Sequence, residues 1–113
     1  MLNKWLAQYE GQELELFRNF GNPYETISIR VQIDNHCMYL GDEEVEHGPD
    51  GGSSIKIFTF DRENTRKVLW LLCDGYRDPI LALKEMLDET HRTRKFLDLC
   101  KENDIVYTAQ LYL

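Results

Sequence analysis

The side chains able to do chemistry are few in this chain, and most fall in one stretch. His36 and Cys37 are adjacent, and Asp42, Glu43, Glu44, Glu46, His47 and Asp50 follow closely. A thiol nucleophile needs a base that takes its proton and a third group that orients the base. Neighbours on a strand point to opposite faces, so His36 and Cys37 share a proton only if a turn folds them together. Structural zinc sites use short Cys and His spacings, and Cys73, His91 and Cys100 offer none. The acids lack the central glycine and terminal glutamate of an EF-hand loop. Gly48 to Gly52 is glycine-rich, but no Lys-Ser or Lys-Thr follows it to hold a phosphate. The residues therefore predict no catalytic group, no metal and no cofactor.

What they do predict is an electrostatic surface. The chain of 113 residues carries a formal net charge of -7. Up to Phe60 there are ten acids against four bases, and from Asp61 onward ten against nine, so the excess lies in the first half. Such a surface repels nucleic acid and anionic lipid and attracts basic proteins. The expectation is a non-enzymatic protein-protein interaction module that binds and blocks a basic, nucleic-acid-binding or nuclease partner. Inhibitors, immunity proteins and antitoxins of this size and charge act so. Its partner-binding residues are expected to be Asp42, Glu43, Glu44, Glu46 and Asp50, at the tip of a hairpin, with Trp70 at the edge of a helix's apolar stripe.

Two other classes fit the same residues. One is a small enzyme or ligand-binding domain whose site assembles from His36, Cys37, Glu44 and His47 near one hairpin. The other is a homo-oligomeric subunit, a homodimer pairing an exposed sheet edge or using Trp70. The basic groups Arg62, Arg66 and Lys67, and His91, Arg92, Arg94 and Lys95, read as solvated helix faces with pairs such as Glu63 to Lys67.

The elements that must position these groups are legible from periodicity. Leu2 to Tyr9 places Leu2, Trp5, Leu6 and Tyr9 on one helical face. Leu14 and Leu16 alternate with acids in a strand that becomes irregular at Phe17, before the turn at Gly21, Asn22 and Pro23. Ile27, Ile29, Val31 and Ile33 alternate with polar residues, the signature of an antiparallel strand with one face buried. A third strand is expected over Cys37 to Leu40 with Val45, and a fourth from Ile55 to Phe60. Asp61 then caps a helix bearing Val68, Leu69, Leu72 and Cys73, which Gly75 is expected to stop. Asp78 and Pro79 open another helix, a break is expected near Thr90 or Thr93, and Phe96 to Cys100 continue helically. Ile105 to Leu113 reads as a last strand.

The prediction is an α+β fold: an antiparallel sheet of four to five strands, a meander plus a C-terminal strand, with two to three helices packed on one face. Residues 1–113 are expected to form a single globular domain. Three widely spaced cysteines argue for reduced thiols, and no apolar run reaches the length that spans a bilayer. With no signal-peptide pattern at Met1, the expected location is cytoplasmic, away from membranes and without direct nucleic-acid contact.

Overall fold

The computed structural model describes residues 2–74 and 76–113. The helix stop expected at Gly75 lies outside the described residues.

The alternation of Ile27, Ile29, Val31 and Ile33 organises the fold. All four are buried, while Arg30, Gln32 and Asp34 between and beyond them are exposed. Strands β1 (Glu13–Arg18), β2 (Glu25–Asp34), β3 (Cys37–Glu46), β4 (Ser53–Phe60) and β5 (Thr108–Tyr112) form an open antiparallel sheet in sequence order. Among the described residues four helices complete the α+β architecture: α1 (Leu2–Tyr9), α2 (Arg62–Cys73), α3 (Pro79–Glu85) and α4 (Arg94–Glu102). Leu6, Val68, Leu69, Leu83, Phe96 and Cys100 join Ile29, Val31, Met38, Leu40, Phe58 and Phe60 in one core. The helices thus cover one face of the sheet, and the first helix makes the count four where two to three were expected.

The boundaries follow local chemistry. Leu16 is the extra residue between the paired Glu15 and Phe17, a bulge that accounts for the shifted alternation in β1. Asp61 accepts the Asn64 N–H at 2.8 Å and caps α2, and Asp78 accepts the Ile80 N–H at 2.9 Å and caps α3. Asp78 also accepts the Tyr9 hydroxyl proton, fastening α1 to the start of α3. Burial and this carboxylate push the Tyr9 phenol up to about 12. Thr65, fully buried, donates to the Phe60 carbonyl and accepts the Met38 N–H, so a single hydroxyl joins α2 to the ends of β3 and β4.

Two expectations change in extent. The third strand runs unbroken through the acids to Glu46: all ten residues pair with β2, and Met38 to Val45 also pair with β4. The last strand is shorter than Ile105 to Leu113 and forms an edge beside β4. None of the described helices is long and apolar enough to cross a membrane.

Candidate functional site

Because β3 is continuous, its acids divide between the two faces of the sheet. Met38, Leu40, Asp42, Glu44 and Glu46 share the helix-facing side, and Tyr39, Gly41, Glu43 and Val45 the open side. Asp42 therefore extends the core column formed by Met38 and Leu40, and it is only 9% exposed. A carboxylate so placed is costly unless paired. Arg92 supplies the pair: its Nε lies 3.1 Å from both Asp42 oxygens, its Nη2 2.5 Å from Oδ1, and its Nη1 3.5 Å from Glu44.

Arg92 is held there by its own turn. It adopts a left-handed backbone (φ 54°), rare for a side chain of this kind. Its N–H donates to the Asp88 carbonyl at 2.8 Å, while the Asp88 carboxylate accepts the His91 N–H at 2.6 Å. That backbone hydrogen bond, then the His91 ring and Lys95, lower the Asp88 carboxyl to about 2. Burial alone would lower the Arg92 pKa, but Asp42, then Glu44, more than offset it and hold it above its ordinary value.

Beyond Asp42 the column stays acidic, and Arg92 neutralises it only in part. Glu25 of β2 stands directly opposite Glu46 of β3, and Ile27 opposite Glu44. Glu44 lies close enough to Glu25 to share a proton, which raises the Glu25 carboxyl above its usual range. Partial burial and the charges of Glu44 and Glu89 add to this, and Arg92 opposes it. Asn19, buried at this end, accepts the Ile27 N–H at 2.6 Å and approaches Glu89 at 3.5 Å, so β1, β2 and the α3–α4 connection meet here. His47 closes the margin, its Nε2 2.7 Å from the Thr26 hydroxyl.

The six expected partner-binding residues thus take separate positions. Asp42 is bound internally by Arg92, and Glu44 is partly neutralised by it. Glu43 is on the open face, lining a depression of about 140 Å³ with Tyr39, Ile55 and Ile57. Glu46 is exposed at the end of β3, and Asp50 in the turn beyond it. Trp70 is 68% exposed and borders a different depression, with Lys67, Leu71 and Ile105. Glu46 and Asp50 lie at the tip of the β3–β4 hairpin as expected, whereas Asp42, Glu43 and Glu44 lie along the strand that leads to it. Glu25, Glu89 and Arg92 are the additions that the sequence reading missed. The signal for Arg92 was present: an aspartate in phase with Met38 and Leu40 calls for a cation beside it.

His36 and Cys37 are at the beginning of β3, and Glu44 and His47 at its end. At roughly 3.3 Å per residue, the length of a ten-residue strand separates the two pairs. They do not converge on one hairpin. The His36 N–H is instead bound to the Glu10 carboxylate at 3.1 Å. Among the described residues no group of three or more His, Cys, Asp or Glu side chains is placed to hold a metal ion.

One larger groove, of about 610 Å³, lies between α4 and strands β3 to β5. Asp42, Glu44 and Arg92 form one wall, Leu97 and Lys101 another, and Phe58, Ala109 and Leu111 the floor. The acidic column opens into it. No family model, curated protein or solved structure matches the chain.

Proposed function

We propose that the protein is a non-enzymatic binding module whose acidic sheet end, built from Glu25, Glu44 and Glu46 with Asp50 and Glu89 at its border, docks a basic protein partner. The carrying observation is the direct opposition of Glu25 and Glu46. Like charges facing each other across strands destabilise a sheet, and Glu44, diagonal to Glu25 across the same strand pair, is the main cause of the raised Glu25 pKa. Such a conflict is relieved when lysine or arginine side chains of a partner arrive. The same field accelerates their encounter. A basic nuclease or nucleic-acid-binding protein, blocked by an inhibitor, immunity protein or antitoxin, has the matching chemistry.

Asp42 is the structural foot of this surface and Glu46 its contact. Glu43 and Trp70 are assigned to the periphery, each in its own depression. The three thiols are free, in keeping with a reducing cytoplasmic setting, and the net charge of -7 opposes direct binding to nucleic acid or anionic membrane.

The test compares capture from cells of the source organism by the wild type and by the Glu25→Gln/Glu46→Gln/Asp50→Asn variant. A basic protein retained by the first at low salt, released at high salt and lost by the second is the expected result. Equal retention by both removes the acidic end from the binding surface.

A further inference from the structure

The two edges of the sheet are built differently. β1 carries Glu13, Glu15 and Arg18 and a bulge at Leu16, devices that keep an edge from pairing. β5, with the sequence TAQLY, has no charge and no proline, and its pairing with β4 runs without a bulge. All five of its residues are exposed, with Leu111 at 58% and Tyr112 at 47%. Among the described residues no other strand faces its outer side.

We propose that β5 pairs with β5 of a second copy, antiparallel about a two-fold axis through Gln110, joining the two sheets into one. The strand is self-complementary in that register. Gln110 meets Gln110 of the second copy, two neutral amides that can each donate and accept. Thr108 faces Tyr112 of the other copy, a β-branched residue against an aromatic one. Ala109 faces Leu111, small against large, on the side of the groove.

Charge at the seam does not oppose a second copy. Each chain is strongly acidic, yet the strand itself brings no carboxylate to the seam. Tyr112 pairs with Ile55, at the end of β4 that adjoins Val45 and the acidic column. Antiparallel pairing sends the two Tyr112 ends in opposite directions, so the acidic ends lie far apart and both stay open. The dimer does not depend on the acidic-docking reading.

Sedimentation velocity at physiological salt, from micromolar to several hundred micromolar protein, tests this directly. The wild type is expected to shift from monomer to dimer as concentration rises. Gln110→Lys and Gln110→Glu, changes at an exposed position, each set like charges opposite one another at the axis. Each is expected to weaken the dimer about fivefold to tenfold, with circular dichroism unchanged. An equal mixture of the two variants restores association, because opposite charges then meet. A wild type that stays monomeric throughout overturns the proposal, as does wild-type association by both variants separately.

Discussion

Arg92 reaches back across fifty residues of sequence to close on Asp42, and this contact lets a strand of the sheet continue through a run of acids. Without it the carboxylate would remain in line with Met38 and Leu40, with Lys56 opposite it on β4 but no ion pair formed. Arg92→Ala is therefore expected to lower stability by about 2 to 3 kcal/mol, read from denaturant unfolding. An Asp42→Ala/Arg92→Ala double variant should lose less than the sum of the single changes. Additive losses would mean the pair is not coupled.

The opposite sign is expected one pair further along. Glu25→Gln or Glu46→Gln removes a like-charge opposition and should raise the thermal midpoint while weakening partner binding. The pH dependence follows the same logic. The folded Glu25 carboxyl binds its proton more tightly than the unfolded one, so its contribution favours the folded state at low pH. That contribution is lost as pH rises through its raised value. Comparing the pH-stability curves of the wild type and Glu25→Gln isolates this slope.

Asp88 titrates in the other direction. Its carboxyl is lowered from 3.8 to about 2, so its stabilising contribution is complete above about 4 and disappears as pH falls towards about 2. Asp88→Ala should remove that segment of the acid-unfolding curve. It should also free the turn that holds Arg92, producing part of the Arg92→Ala phenotype at neutral pH.

Thr65 is a sharper structural test. Thr65→Val keeps the shape of the side chain but removes the acceptor for the Met38 N–H, in a fully buried position. A loss of about 1 to 3 kcal/mol is expected.

The thiols should divide by environment. Cys73 and Cys100 are buried, and burial pushes the Cys100 thiol up to about 12, whereas Cys37 is half-buried. A thiol-specific reagent should therefore label Cys37 first in the folded protein and all three only after denaturation.

Much of the fold was legible because local patterns agreed with the global arrangement. The alternation of Ile27 to Ile33, the caps Asp61 and Asp78, and the irregularity at Phe17 each correspond to the observed element. The acidic stretch was harder. Composition at Asp42 to Glu46 suggests a solvated tip, whereas β3 continues through it, paired with β2 and β4, with a cation fifty residues away holding Asp42. Asp42's phase with Leu40 carried that information, but the identity of its partner depended on folding. Glu25 was similarly obscured, since its opposition to Glu46 is a matter of register between strands and not of sequence proximity. His36 and His47 look close in sequence, and an extended strand holds them apart.

The most direct test of the central claim is the salt dependence of capture by the wild type and by Glu25→Gln/Glu46→Gln/Asp50→Asn, measured side by side with a Glu10→Gln/Glu13→Gln/Asp104→Asn control carrying the same change in charge. The account predicts that a basic partner is retained by the wild type and the control, is released by salt, and is lost by the acidic-end variant. Equal loss from the control, or undiminished retention by the acidic-end variant, would contradict it.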